Sequence, residues 1–187
     1  MQPDRGGWVK IDDYADFVGH LREKYVSPRN AVWQLAKSTA AVSARTWPEL
    51  PPEFADTTGI FPIVVTHDIR MDSPGTGMFF RKEMQDLLAS GANREDIHPL
   101  VIMTIQDLEN MEGSIASSEF SLATFLVDYI AEIQTVDPLC SLHNFIAHSK
   151  YNGKMRPSPV VYQKSLETLD RARLVLFPKP DAAAPTS

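Results

Sequence analysis

A chain of 187 residues is long enough for one domain with a real core, and a hydrophobic share of 43% excludes a disordered polymer. Acids outnumber bases 24 to 18, so net charge gives no support to a nucleic-acid surface, although a local basic patch stays open. The single cysteine, Cys140, excludes an internal disulfide and a cysteine-based zinc site and fits a reducing, cytoplasmic setting, while no apolar run is long enough to span a membrane.

In chain order, residues 1–10 are expected to be loosely held, with no apolar core of a signal peptide among them. Ile11, Tyr14, Phe17, Val18 and Leu21 recur at helical spacing and predict a helix over 11–25, with Asp12 and Asp13 in its first turn. Ser27-Pro28 breaks it. Asn30 is placed to cap a second helix over 31–44, whose stripe is Val32, Leu35, Ala36, Thr39 and Val42. Prolines and acids make 46–58 a connecting loop.

Ile60 to Val65 is a β-branched apolar run, too short for a buried helix, with Pro62 near its start. His98 to Ile105 has the same form. Each reads as a strand covered on both faces, as in a parallel sheet. The helix predicted between them, 78–90 with Gly91 as its stop, makes a strand–helix–strand unit. A short helix is expected from Thr104 or Gln106 to Met111, ending at Gly113. Ser118, with Ser121 following, is expected to cap a stronger helix over 122–134. Asp137-Pro138 is expected to start another, carrying Cys140 as a small buried hydrophobe and Leu142, Phe145 and Ile146 as core. Residues 150–157 read as a basic loop, 159–174 as an amphipathic helix and 178–187 as a disordered tail.

The expected fold is therefore α/β: one domain over 1–177, with a small, mostly parallel sheet flanked by helices and a helical C-terminal half. Its core is expected to hold Leu35, Ile63, Val65, Leu87, Val101, Met103, Leu126 and Ile130. Two strands are too few for an independent sheet. Weak strands at Trp8-Val9-Lys10 or 174–177, residues upstream of Met1, or another chain would complete it. A protein partner or self-association is the expectation that follows.

Trp33-Gln34-Leu35 on the second helix, then Ile60-Phe61-Pro62-Ile63-Val64-Val65-Thr66, then Pro99 to Glu109, then Glu119-Phe120-Ser121-Leu122 and Asp137-Pro138-Leu139 together resemble the back half of a restriction-endonuclease-like core. The pattern is similar to NERD-type bacterial proteins over about residues 30–147. The resemblance implies common ancestry of fold. In that family the metal-binding acid and a Glu-x-Lys pair lie on strands before the Gln-Leu helix, and no such strand precedes Gln34 here. Glu23-Lys24 lacks the spacing. The implied reading is a nuclease-fold remnant or fragment that works as a structural or interaction module without its own active site.

The alternative is a divergent metal-dependent nuclease or hydrolase. His67 and Asp68 follow a strand's carboxyl end, where open α/β sheets bind ligands, with Asp72 just beyond and Asp107 and Glu109 after the second strand. They are candidates for acid–base work or, for Asp68 and Asp72, for holding Mg²⁺. Turns and caps account for the same residues, and that reading takes precedence because no histidine cluster or lysine accompanies them. Gln34 faces a nuclease site by family analogy, against a solvated glutamine. Ser73-Pro74-Gly75-Thr76-Gly77 lacks a phosphate-loop signature and reads as a turn before a helix. His143 and His148 do not have the i, i+4 spacing of a metal pair. Arg81, Lys82, Lys150, Lys154 and Arg156 form a basic patch near Tyr151 only if folding gathers them.

Overall fold

The computed structural model describes residues 14–47, 51–52, 59–67, 71, 73, 75–88 and 96–176, without the side chains of 14 and 174–176. Helix α1 (Tyr14–Leu21) runs into a π-helical turn, Arg22–Val26, and α2 covers Ala31–Ser43. Strand β1 (Ile63–Thr66) leads through α3 (Thr76–Leu88) to β2 (Val101–Thr104). Then come α4 (Ile105–Ala116), α5 (Leu122–Thr135), α6 (Leu142–His148) and α7 (Pro159–Leu176). The expectations at Asp12, Asp13, Gly91, Trp8-Val9-Lys10 and the tail lie outside the described residues.

The two strands pair in parallel, with Ile63 opposite Val101 and Thr66 opposite Thr104, so the α/β expectation holds. Alternation along β2 splits the interior in two. Val101 and Met103 point into a cluster built with Met111 of α4, Phe125, Leu126, Tyr129, Ile130 and Ile133 of α5, and Leu142 and Phe145 of α6. Leu100 and Ile102 point the other way, to Leu21, Val26, Val32, Ala36, Phe80, Met84 and Leu88. Helices thus cover both faces of the sheet, α1 to α3 on one side and α4 to α6 on the other. Of the expected core, Val101, Met103, Leu126 and Ile130 are buried, and Leu35, Ile63 and Leu87 pack at the cluster edges.

Val65 is a correction. It is 46% exposed, with the rest of β1 only partly covered, whereas Val101, Ile102 and Met103 of β2 are buried. A contiguous apolar run cannot tell a central strand from a half-covered one.

The parallel ladder fixes which way β1's backbone faces. The Val101 N–H donates to the Pro62 carbonyl at 2.9 Å, and the 63–101 register makes Val64 and Thr66 the next inward-facing residues. Ile63 and Val65 therefore direct their N–H and C=O groups away from β2. Among the described residues no third strand meets them.

Several boundaries differ from expectation for local reasons. Asn30 does precede α2, but its side chain donates to the Glu23 carbonyl at 2.6 Å and leaves the cap bond unmade. Helix α4 continues through Gly113 to Ala116. Ser118 takes a φ of +58°, and Ser121 is the residue that caps α5, accepting from the Thr124 N–H at 3.1 Å. Asp137-Pro138 does not start α6. Asp137 instead accepts from the Leu139 N–H at 3.0 Å in a turn, and Ser141 caps the helix through the Asn144 N–H at 3.2 Å. Cys140 is buried in that turn rather than on a helix. Residues 174–176 complete α7 and do not form a strand. Gly75 has φ +84°, and Ser73 and Thr76 share a hydroxyl bond of 2.6 Å, so the described part of that loop is a turn entering α3.

One polar group is built into the α5–α6 side. Tyr151, packed among Phe120, Phe125 and Phe145, donates its phenol proton to Asp128 Oδ2 at 2.5 Å, and Lys150 Nζ lies 2.7 Å from the same oxygen. The Lys150 and Tyr151 bonds hold the Asp128 carboxyl below its usual range; burial, then the Asp128 bond, pushes the Tyr151 phenol up. The Asp128 contribution to stability is present above about pH 4 and lost as pH falls through the depressed native value. The Tyr151 contribution is present below about pH 10 and lost as pH rises toward the elevated one. Calorimetric midpoints measured against pH should show wild type ahead of Tyr151→Phe between these limits. The gap should narrow below about pH 4 and above about pH 10. A gap independent of pH would mean the phenol is only a packing group.

Candidate functional site

The carboxyl ends of β1 and β2 open into a cleft of about 420 Å³. Thr66 and His67 line it from β1. Thr104, Ile105, Gln106, Glu109 and Asn110 line it from the end of β2 and the first turns of α4, and Val161, Tyr162 and Ser165 close it from α7. This is the position where parallel sheets place ligands.

Thr104 both ends β2 and caps α4. Its hydroxyl accepts from the Asp107 N–H at 3.1 Å and donates to Asp107 Oδ2 at 2.6 Å; its own N–H donates to the same oxygen at 2.9 Å. Strand and helix can follow one another without a loop because this reciprocal cap satisfies the first turn's free donors. The cost is that the Asp107 carboxylate is buried and committed.

The far wall is brought in from distant sequence. Ser114, fully buried on α4, donates to the Lys154 carbonyl at 2.5 Å and accepts from the Arg156 N–H at 3.0 Å. The neighbouring Gly113 N–H donates to the Arg156 carbonyl at 2.8 Å. A Cβ on Gly113 would lie 2.5 Å from the Pro157 carbonyl oxygen and 2.6 Å from that of Arg156. The glycine is there because the 154–158 chain lies directly on the helix. Ser158 then starts α7, accepting from the Val161 N–H at 3.3 Å, which sets Val161, Tyr162 and Ser165 over the strand ends.

Of the sequence candidates, His67 and Glu109 reach this cleft. Asp107 is held in the cap. Gln34 does not line the cleft; it is exposed on α2, where it donates to the Arg29 carbonyl. Asp68 and Asp72 lie outside the described residues. Among the described residues no group of three or more His, Cys, Asp and Glu side chains could hold a metal ion. The Asp107 carboxylate is already bonded within its own helix turn.

Four of the five basic residues have polar partners of their own. Arg81 donates to the Pro138 carbonyl at 2.7 Å, Lys82 pairs with Asp86 at 2.7 Å, Lys150 with Asp128, and Arg156 lies 3.8 Å from Glu119. Tyr151 is buried and offers no stacking platform.

Gln106, Asn110, Tyr162 and Ser165 are cleft residues that sequence reasoning did not pick out. Only Gly113-Ser114, a small pair in the middle of a helix, could have signalled that another segment lies against it. No family model, no curated protein and no solved structure matches the chain.

Proposed function

We propose that this chain is an interaction module: a remnant or fragment of a restriction-endonuclease-like fold that acts by joining another strand to β1, without an active site of its own. The observation that carries the reading is the backbone of Ile63 and Val65, turned away from β2 at the rim of the sheet, with Val65 half-exposed beside it. An open parallel edge with apolar side chains is a template for strand addition. The motifs around Gln34, Pro62 and Pro99 support the nuclease ancestry and, through the NERD-type resemblance, a bacterial source, and the single cysteine supports a cytoplasmic setting. Among the described residues no helix is long and apolar enough to cross a membrane.

The strand-end cleft favours a second reading, a divergent Mg²⁺-dependent nuclease or hydrolase using His67 and Glu109 with Asp68. The commitment of Asp107 to the helix cap weighs against it. Purified protein incubated with single- and double-stranded DNA and RNA, with Mg²⁺ or Mn²⁺, is expected to leave every substrate intact. Cleavage that disappears in Asp68→Ala and in Glu109→Ala would replace the first reading with the second. Asp107→Ala is a poor probe, because it also removes the acceptor of the Thr104 N–H and hydroxyl in the capping box.

A further inference from the structure

We infer that the strand-end cleft is a receptor for a guanidinium group, the side chain of an arginine carried by the segment that adds to β1. The inference rests on the strand-addition reading for the source of that arginine. Three elements distant in sequence line the cavity. Gln106, Glu109 and Asn110, spaced i, i+3, i+4, present one face of α4, and Tyr162 and Ser165, three apart, present one face of α7. Thr66 and His67 line it from the end of β1. The open edge runs straight into the cleft, because Val65 is its last outward-facing strand residue and Thr66 follows directly.

Charge and hydrogen-bonding capacity choose the ligand. Among the described residues that line the cleft there is no lysine or arginine, and Glu109 is the one acid. Other acids are paired: Glu83 with Arg22, Asp86 with Lys82 and Asp128 with Lys150. Glu109 is exposed and, among the described residues, has no such partner. The start of a helix ordinarily attracts an anion, but here the Asp107 carboxylate already takes the Thr104 N–H and hydroxyl. A phosphate would therefore meet carboxylates and no cation to hold it. A cation rich in donors meets acceptors instead: the Glu109 carboxylate, the amide oxygens of Gln106 and Asn110, and the Ser165 oxygen, whose proton goes to the Val161 carbonyl at 2.9 Å. Tyr162, 56% exposed, adds a ring face. A planar fork of donors that pairs with a carboxylate and stacks on an aromatic ring is arginine rather than lysine. An arginine just past the partner residue beside Val65 enters the cleft, so the cleft reads the end of the added strand and fixes its register.

Titration of the isotopically labelled full chain with N-acetyl-arginine N-methylamide, followed by nuclear magnetic resonance, tests the inference. The probe is too short to add a strand, so its binding reads the cleft alone, while amide exchange at Ile63 and Val65 reads the edge alone. The side-chain amide signals of Gln106 and Asn110 should shift to saturation. The citrulline analogue, of the same shape but uncharged, should bind at least tenfold more weakly. Glu109→Gln should weaken the arginine probe at least tenfold and Tyr162→Leu should weaken it measurably, with signals away from the cleft unmoved because both positions are exposed. No shift at the cleft, equal binding of citrulline, or undiminished binding by Glu109→Gln would overturn the inference, whatever the edge does.

Discussion

Phe125→Ala is expected to destabilise the protein by about 3–5 kcal/mol, lowering the unfolding midpoint by roughly 10 °C. Phe125 is fully buried where α5 meets the sheet and α6. Its ring stands edge-on to Phe145 at 5.7 Å and to Tyr151 at 4.9 Å, and tilted to Phe120 at 5.8 Å. Removing it leaves a cavity and three aromatic rings without their common partner, and those rings come from three separate segments, so none can move in without dislodging its own. Val127→Ala, two residues along the same helix and half-exposed, is the control and should change stability by less than about 0.5 kcal/mol. Denaturant unfolding of the two variants checks this. Equal effects would place the core elsewhere.

The second large effect is expected from a substitution that ordinarily helps a helix. Gly113→Ala should cost about 2–3 kcal/mol even though alanine is favoured over glycine in a helix by about 1 kcal/mol. The new methyl would meet two carbonyl oxygens of the main chain at 2.5 and 2.6 Å, and backbone cannot swing aside as a side chain tip does. Relief comes only by lifting 154–158 off α4, which also breaks the Gly113 bond to Arg156 and the two Ser114 bonds. Gly19→Ala on α1 is the matched comparison, since a Cβ there meets nothing within 4 Å. Thermal unfolding should show Gly19→Ala level with or above wild type and Gly113→Ala well below it. Trypsin should cut the Gly113→Ala protein faster after Lys154. The consequence for the site is direct, because the 154–158 segment is what holds the start of α7 over the strand ends.

The strand–helix–strand unit was legible because β2's whole run is apolar, as burial on both faces requires, and because a helix lies between the strands. Val65 was misread for the same reason: an apolar run records what a strand can tolerate, and the number of neighbours beside it is a tertiary fact. Glycine and proline signals failed where packing overrode local preference. Gly113 looked like a helix stop and is a close approach. Pro138 looked like a helix start and sits in a turn closed by Asp137, with Ser141 supplying the cap three residues later. In the cleft, His67 and Glu109 followed from the rule that ligands gather at the carboxyl ends of parallel strands. Tyr162 and Ser165 did not, because they arrive through the docking of 154–158 on α4, and two small residues carry too little pattern to announce it. The exposure of α7 was equally hidden, since Leu166 and Leu169 at helical spacing read the same whether the helix packs on its own domain or faces solvent.

The open edge of β1 is the centre of the functional reading, and residue-resolved amide hydrogen exchange of the isolated chain measures it directly. Val64 and Thr66 face β2 and should be slow, whereas Ile63 and Val65 face outward and should exchange faster by at least an order of magnitude, giving alternating protection along four consecutive residues. Uniform slow exchange across Ile63 to Thr66 would mean that the chain already covers this edge itself, and would contradict the account.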